Sequence, residues 1–308
     1  MNKLVSVIIP FFNQFEDLKK AINSIKSQTY KKIEIIIVDD CSNKKAQKEV
    51  RTFIDPSIKF YKTVVNSGVA EARKLGVLKS KGDFITFLDQ DDVFKPKCVE
   101  NKINVFAKNR NINFVISDYI ENNKVLKKKK YHKMKYLKKN FAKNILIRPG
   151  PFFQSCMFKR DLLENIDNLI DNDAIPSEDW DFFIMLSCLR LNIGYVESAD
   201  FIWNVSETSQ SLNYKKEADG LKYIIEKHNN KFLKNIGKKG LSNHYRMIAR
   251  VYEKAKLIEE AKIKYRLAFK TKRLNLKNIY YLIISSFPKP IFKFIANYLR
   301  TIRGLSLE

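Results

Sequence analysis

The chain of 308 residues is long enough to bury one large core or two smaller ones, and its 45% hydrophobic and 12% aromatic content excludes a disordered protein. Its four cysteines lie far apart without a C-x-x-C pair and its three histidines lack zinc-ligand spacing, so no disulfide framework or zinc site is indicated and a reduced cytosolic setting fits. The net charge of +25 predicts attraction to phosphates, either of nucleic acid or of anionic lipid headgroups.

The positive charge is concentrated in two segments. Residues 211–308 hold 23 Lys and Arg residues against 7 Asp and Glu residues, and residues 124–143 hold ten lysines and no acid. A lysine-rich composition that only produces solvated faces explains part of this charge. It does not explain why the positive charge is concentrated in these two segments.

The N-terminus enters a predicted strand at once. The residues Val5-Ser6-Val7-Ile8-Ile9-Pro10 form an apolar run that is typical of a buried strand. With proline at position 10 we expect no signal peptide, and because the sequence has no run of 18 apolar residues we expect no membrane-spanning helix.

Strands and helices alternate as far as residue 92. An amphipathic helix follows the first strand, with apolar residues at helical spacing at Leu18, Ala21, Ile22 and Ile25. The next predicted elements are a strand at 33–38, a polar helix at 44–54, a strand at 58–65, a helix from about 68 to 80 and a strand at 84–88. Near-continuous apolar strands that alternate with helices predict a parallel sheet with helices on both faces.

Acidic residues end two of these strands. Asp39-Asp40 follows the second strand, and Asp89-Gln90-Asp91-Asp92 follows the strand at 84–88. Ligands bind beyond the carboxyl ends of the strands in an open α/β sheet, and clustered carboxylates favour a hard cation such as Mg²⁺ or Mn²⁺. The alternative is an acidic loop that caps a helix beginning near Pro96.

Five motifs in register resemble the family 2 glycosyltransferases. They are Val5–Asn13, Ser27–Tyr30, Ile37–Ser42, Asn66–Arg73 and Phe87–Asp92. Farther on, Ser177-Glu178-Asp179-Trp180-Asp181 resembles the acidic acceptor-side motif of that family. The resemblance covers about the first 210 residues. It implies a GT-A fold (an α/β fold with a Rossmann-like mixed sheet flanked by helices), a nucleotide-diphosphate sugar donor, a divalent metal and inversion at the anomeric carbon.

The resemblance implies that five residues bind the nucleotide of the donor: Pro10, Phe12, Asp40, Arg73 and Asp89. Phe12 follows Pro10 in the first motif and matches an aromatic position that stacks on the base. Asp40 matches an acid that accepts a hydrogen bond from the imide N–H of uracil, which favours UDP over other nucleotides.

The resemblance also implies a DXD-type metal site. Asp91 matches a direct ligand of Mn²⁺ or Mg²⁺, and Asp89 holds the ribose or assists the metal. Arg73 braces these acids or meets a phosphate of the donor. A plain surface arginine on a helical face is the alternative for Arg73.

On the acceptor side, the resemblance implies that Asp179 is the general base, with Glu178 and Trp180 beside it. Both carboxylates stand at the start of a predicted helix, where carboxylates also serve as caps, and this is the alternative. The segment Phe152–Phe158 is predicted as a strand that similar enzymes place beside the donor sugar.

One segment departs from the family pattern. Many relatives carry an aromatic-Arg-x-His pattern on the loop after the last strand, and Phe201-Ile202-Trp203-Asn204 occupies the comparable place here. Neither Arg nor His is present, so contacts with the diphosphate are in doubt on that side. Trp203 either stacks on a sugar or fills the core.

The sequence after residue 213 is basic and predicted to be helical. Residues 246–252 and 261–268 resemble a helical hairpin of the tetratricopeptide kind. Residues 291–300 combine aromatic, aliphatic and basic side chains in a way that suits a helix lying in a membrane surface. A helix docked on the core of the protein itself is the alternative.

The sequence therefore predicts a GT-A catalytic domain at 1–213 and a basic helical region at 214–308. The predicted enzyme moves a sugar from a UDP-sugar to a lipid-linked oligosaccharide in the synthesis of a surface polysaccharide, and it is cytoplasmic and peripheral on the anionic inner face of the cell membrane. The alternatives are an inactive binding module of the same fold and a basic nucleic-acid-binding protein. The second gives no reason for acids at two strand ends, so no nucleic-acid partner is expected.

Overall fold

The computed structural model describes residues 2–207, 209, 212–288, 290–291 and 294. The chain divides into two compact units, Met1–Ser209 and Gln210–Glu308. The predicted surface helix at 291–300 lies outside the described residues except at positions 291 and 294.

A nine-stranded sheet runs through the described residues of the first unit. Its strands are, in chain order, β1 (Val5–Phe11), β2 (Ile33–Asp39), β3 (Ile58–Lys62), β4 (Phe84–Phe87), β5 (Val93–Phe94), β6 (Phe114–Asn123), β7 (Lys128–His132), β8 (Cys156–Lys159) and β9 (Ile193–Val205). Their order in space is β3-β2-β1-β4-β8-β6-β9-β5, with β7 paired to β6. The sheet is therefore mixed, as the family resemblance implied.

The strand directions change halfway across the sheet. β1, β2, β3 and β4 are parallel to one another, which confirms the parallel sheet predicted from the alternating elements of the first 92 residues. β8 is antiparallel to both β4 and β6, whereas β9 is parallel to β6. The carboxyl ends of β1, β2 and β4 consequently lie at one edge, where the predicted donor residues follow them.

The helices of the first unit are α1 (Phe15–Lys26), α2 (Lys44–Phe53), α3 (Val69–Lys79), α4 (Cys98–Lys108), α5 (Phe141–Ile147) and α6 (Glu178–Leu186). The four apolar residues that predicted the first helix form the buried face of α1. α3 packs closely on β1 at Gly76, where a Cβ atom would lie 2.3 Å from Cγ2 of Ile8. This close approach fixes the helix that carries Arg73 against the first strand.

Three predicted boundaries are wrong. β3 ends at Lys62 rather than at residue 65. The strand predicted at 152–158 begins only at Cys156 and runs to Lys159, because residues 153–155 form a 3₁₀ turn. The segment 201–204 is not a loop after the last strand but the end of β9. β9 stays extended there because it pairs with β6 as far as Asn123 and Val205, a partner that local sequence does not reveal.

The second unit is helical, as predicted. Its helices are α7 (Tyr214–Lys227), α8 (Asn229–Lys254), α9 (Ile258–Thr271) and α10 (Leu276–Ser286). The predicted hairpin segments lie in α8 and α9, which pack against each other, while α7 packs on α8 and α10 packs on α9. Among the described residues, no helix combines the length and the apolar character that a membrane crossing needs.

Candidate active site

Asp40 joins the end of β2 to the start of α3. Its Oδ1 accepts hydrogen bonds from the Thr63 hydroxyl at 3.0 Å and the Ser67 amide at 2.9 Å, and its Oδ2 accepts one from the Gly68 amide at 2.7 Å. Gly68 has a φ of +89°, a left-handed conformation that favours glycine. Asp40 is buried, so its first role in the structure is to fix the turn before α3, and Oδ2 accepts one of the two hydrogen bonds that it could accept among the described residues.

Phe12 is exposed directly after β1, whose last residue, Phe11, accepts a hydrogen bond from the Asp40 amide at 2.8 Å. Phe12 is 43% exposed, and its backbone is held on both sides by Gln90, whose Oε1 accepts from the Phe12 amide at 2.8 Å and whose Nε2 donates to the Phe12 carbonyl at 3.3 Å. Pro10 is buried within β1, opposite Val38 of β2. The loop after β1 therefore presents an aromatic face to solvent from a rigid backbone, as stacking on a base requires.

Arg73 links the acids of the two predicted halves of the site. Its Nη2 lies 2.7 Å from Oδ1 of Asp89, and its Nη1 lies 2.7 Å from Oε1 of Glu178. The guanidinium is buried and lies 4.6 Å from the ring centre of Phe153. Burial lowers the pKa of Arg73, but the charges of Asp89 and Glu178 outweigh it and the net shift is upward. Arg73 is not the surface arginine that was its alternative.

Gln154 connects the acids that follow β4. Its Nε2 donates to Oδ2 of Asp89 at 2.5 Å and to Oδ2 of Asp92 at 3.0 Å. The other oxygen of Asp92 accepts from the amide of Asn204 at 2.8 Å, and the Asn204 side chain donates to the carbonyl of Asp91 at 2.9 Å. Burial, and then Asp91 and Asp89, raise the pKa of Asp92 well above its ordinary value. Both oxygens of Asp89 and of Asp92 thus have partners within the protein.

Asp91 differs from its neighbours. Burial, and then the charge of Asp89, raise its pKa to about 6. Among the described residues its carboxylate is in no salt bridge and receives no hydrogen bond from another side chain. A carboxylate that is costly to ionise and has no cationic partner fits a divalent cation, so Asp91 and then Asp89 are the residues that would hold one.

The described residues contain no group of three or more His, Cys, Asp and Glu side chains that could hold a metal ion by themselves. A cation of the Mg²⁺ type usually takes one or two carboxylates and completes its shell with water and substrate phosphates. The predicted ligands Asp89 and Asp91 therefore remain a prediction that this arrangement accommodates.

Asp179 stands in the first turn of α6, next to the acid that Arg73 holds. Its Oδ1 accepts from the amide of Trp180 at 2.6 Å, whereas Glu178 is directed to Arg73 and does not cap the helix. Burial, and then the Glu178 carboxylate, raise the pKa of Asp179. A half-buried carboxyl with a raised pKa has the properties expected of a general base.

The two tryptophans predicted on the acceptor or sugar side have different surroundings. Trp180 is fully buried and its Nε1 donates to the carbonyl of Ile145 at 2.7 Å, so its ring lies in the core beneath α6. Trp203 is half-buried on β9, with its ring centre 4.8 Å from that of Phe152. Of the two residues, only Trp203 is partly exposed to solvent.

Sequence reasoning missed three residues that organise the site: Gln90, Gln154 and Asn204. They are uncharged, and no local pattern marks them, since each acts by bonding to residues at least 62 positions away. The only available signal was position. Gln90 lies between two of the predicted acids, and Asn204 stands within the segment that departs from the family pattern.

The chain belongs to glycosyl transferase family 2. The model of that family matches residues 6–167, which is more than half of the chain. All five motifs of the N-terminal resemblance lie within or at the edge of this range. The chain is thus a glycosyltransferase, and the mixed sheet with its helices is the GT-A fold.

Two relatives extend the comparison. The chain is 27% identical over 252 residues to WcaA of Escherichia coli strain K12, a glycosyl transferase named for colanic acid biosynthesis, and the match covers 75% of this chain and 83% of WcaA. It is 35% identical over 127 residues to WfgD of Escherichia coli, named as a UDP-Glc:alpha-D-GlcNAc-diphosphoundecaprenol beta-1,3-glucosyltransferase. That match covers 41% of this chain and 50% of WfgD.

A solved structure shares the fold. Residues 1–349 of TarS from S. aureus, in complex with UDP-GlcNAc, align with a TM-score of 0.60 over 94% of this chain and 82% of the TarS chain. The sequence identity is 16%, so this likeness concerns the fold alone.

Proposed function

We propose that the protein transfers a sugar, with inversion, from a UDP-sugar to a hydroxyl group of a lipid-linked oligosaccharide during the synthesis of a surface polysaccharide. The observation that carries this proposal is the bridge from Asp89 through Arg73 to Glu178, with Asp179 beside it. The bridge supports the proposal because it ties the helix turn that carries Asp179, the proposed base, to Asp89, a proposed donor-side acid.

The comparisons support the proposed substrates. WfgD is named for a UDP-glucose donor and a diphosphoundecaprenol-linked acceptor, WcaA is named for colanic acid biosynthesis, and TarS was solved with UDP-GlcNAc. The exposed ring of Phe12 and the remaining lone pair of Asp40 are compatible with uracil.

In the proposed reaction, the acceptor hydroxyl attacks the anomeric carbon from the side opposite the diphosphate. Asp179 takes the hydroxyl proton as the new carbon–oxygen bond forms. The bond from the anomeric carbon to the diphosphate breaks, and its electron pair leaves with the diphosphate. The configuration at the anomeric carbon is therefore inverted.

We also propose that a divalent cation, Mn²⁺ or Mg²⁺, binds on the donor side. When bound at Asp91, with Asp89 close by, it would neutralise the charge that develops on the diphosphate. Asp89 itself is held by Arg73 and Gln154, so its place is fixed before any cation binds.

The acceptor class places the proposed enzyme in the cytoplasm, peripheral on the anionic inner face of the cell membrane. The basic region after residue 213, including the segment at 279–303, is proposed to assist this attachment. Sedimentation of the protein with the membrane fraction and its release by high salt is the expected observation. A protein that stays in the supernatant at low salt would contradict this placement.

A donor-hydrolysis screen with a panel of nucleotide sugars tests the function. At least one UDP-sugar is expected to bind and to be hydrolysed slowly in the presence of Mn²⁺, and to be transferred when a lipid-linked acceptor is supplied. Failure of every UDP-sugar to bind would contradict the assignment of a UDP-sugar as the donor. Binding without hydrolysis or transfer would favour an inactive module of the same fold, and salt-sensitive binding to generic nucleic acid without affinity for UDP would favour the nucleic-acid alternative.

A further inference from the structure

The hairpin formed by β6 and β7 projects a charged and apolar tip from the first unit. The strands pair from Tyr119 opposite His132 to Asn123 opposite Lys128, and the turn between them is 124–127. Every residue from 124 to 131 is exposed. Within β7, residues 128–131 are therefore exposed, and only His132 at its end is half-buried.

The charge of this hairpin is not neutralised. All ten lysines of the segment 124–143 are exposed, and among the described residues only Lys135 is in a salt bridge, with Glu197 at 3.2 Å. Both carboxylates of β6 have partners other than lysine: Glu121 is bonded to His132 at 2.9 Å, and Asp118 accepts a hydrogen bond from the Tyr131 hydroxyl at 2.9 Å. The lysines at 124 and 127–130 thus form a cluster with unbalanced positive charge around the turn.

The same turn carries exposed apolar side chains between these lysines. Val125 is 44% exposed and Leu126 is 65% exposed, and Tyr131 on β7 is 47% exposed. We propose that the β6–β7 hairpin is a docking element for an anionic lipid bilayer, with Val125 and Leu126 inserted among the acyl chains and the flanking lysines on the phosphates of the headgroups.

The apolar tip is what favours a bilayer over nucleic acid. Both partners offer phosphates to lysine, but only a bilayer gives two adjacent aliphatic side chains an apolar environment. Lysines on an edge strand also discourage pairing with another chain. That protective role accounts for the charge of β7 but not for the exposed Val125 and Leu126.

The hairpin begins beside the candidate site. Tyr119, at its base, stacks on His132 at 4.5 Å and contacts Phe152 at 5.3 Å, and the ring of Phe152 contacts Trp203. The tip begins at Val125, six residues beyond Tyr119, which is at most about 20 Å at 3.3 Å per residue. A bilayer bound at the tip would hold a lipid-linked acceptor within reach of the catalytic unit.

This inference rests on the proposed function for its purpose, and its failure can be told apart from the failure of that function. Donor hydrolysis in solution requires no bilayer. Variants of the hairpin are therefore expected to hydrolyse a UDP-sugar like the unaltered protein while binding vesicles more weakly.

Insertion of the tip is tested by a local probe in the full chain. Leu126→Trp places an indole at the turn, and Leu78→Trp, at a position of α3 that is 75% exposed, is the matched control. Vesicles of phosphatidylglycerol and phosphatidylcholine with brominated acyl chains are expected to quench the Leu126→Trp fluorescence and to leave that of Leu78→Trp unchanged. Since the readout is local, attachment by another part of the chain cannot produce it.

The charge contribution is tested by two triple variants of equal net charge. Each lysine near an anionic surface contributes about fivefold to binding, so Lys127→Gln/Lys129→Gln/Lys130→Gln is expected to weaken vesicle binding on the order of a hundredfold. The exposed lysines at 44, 45 and 48 on α2 give the control triple, which is expected to lose less than about threefold.

Three outcomes would overturn the proposal. They are equal quenching of the two tryptophan variants in vesicles that bind the protein, equal losses of binding for the two triple variants, and failure of the unaltered protein to bind anionic vesicles at all. Binding of RNA that is lost in the hairpin triple variant, without quenching at position 126, would assign the surface to nucleic acid instead.

Discussion

The Nη1 atom of Arg73 lies 2.7 Å from Oε1 of Glu178, and this ion pair joins α3 to α6 across 105 positions of the sequence. The same guanidinium holds Asp89 with its other terminal nitrogen. One cation thus sets the distance between the acid that follows β4 and the helix turn that carries Asp179. Arg73 thus helps to fix the position of Asp179, the candidate base, without having to contact the acceptor itself.

Replacing Arg73 by leucine is expected to lower the free energy of unfolding by about 3–5 kcal/mol, because it leaves Glu178 buried without a cation. Urea unfolding measures this. Lys74→Ala is the control, since Lys74 pairs with the partly exposed Glu71 and its removal leaves no buried carboxylate without a cation, so the loss is expected to be less than about 1 kcal/mol. Adding Glu178→Gln to the Arg73 variant is expected to recover part of the loss. Equal stability of the Arg73 and Lys74 variants would show that the bridge carries no structural role.

Replacing Asp179 by asparagine is expected to slow sugar transfer by about 10²–10⁴-fold while leaving the affinity for UDP unchanged, because only the proton acceptor is removed. Single-turnover transfer and calorimetric titration with UDP measure the two quantities. Glu178→Gln, one position away, is the comparison. Near-normal turnover of the Asp179 variant, together with a dead Glu178 variant, would make Glu178 the base.

The same assignment has a pH signature. Burial and Glu178 raise the pKa of Asp179 above its ordinary value of 3.8, and a base works only when ionised. Turnover is therefore expected to rise with pH across a pKa above the ordinary range of aspartate, and this acid limb is expected to vanish in Asp179→Asn. An unchanged acid limb in the variant would assign it to another group.

Replacing Asp91 by asparagine is expected to stabilise the metal-free protein by about 2–3 kcal/mol at pH 7.5. The carboxyl has a pKa of about 6 in the folded chain against 3.8 as its ordinary value, so ionisation costs stability. The sign follows from the upward shift: the stability of the unaltered protein falls as pH rises from about 4 through 6. The gain of the variant is accordingly close to zero below pH 4 and complete above pH 6.

Thermal unfolding with and without Mn²⁺ extends this test. Mn²⁺ is expected to raise the melting temperature of the unaltered protein and to leave that of Asp91→Asn unchanged. Asp83→Asn is the control, because Asp83 is paired with Lys3 at the amino-terminal end of β4. An equal response to Mn²⁺ in the Asp91 and Asp83 variants would remove Asp91 from the metal site.

Much of the fold and part of the site could be predicted from the sequence because the signals are local. The apolar run of β1, the helical spacing of α1 and the acids after β2 and β4 depend on residues a few positions apart. The parallel strands then bring Asp40 and Asp89 to one edge, since parallel strands end on the same side. Family membership follows from the same motifs.

The contacts between side chains that are distant in the sequence were determined by the tertiary structure alone. It directs Arg73 to both Asp89 and Glu178, assigns Gln154 and Asn204 to the acids after β4, buries Trp180 and extends β9 through the segment predicted as a loop. The physical reason is that an ion pair, a hydrogen bond or a strand pairing depends on which groups meet in space. The order of residues determines the apolar and polar pattern of each helix and strand. The tertiary fold determines which distant groups meet, and therefore which buried charges are paired.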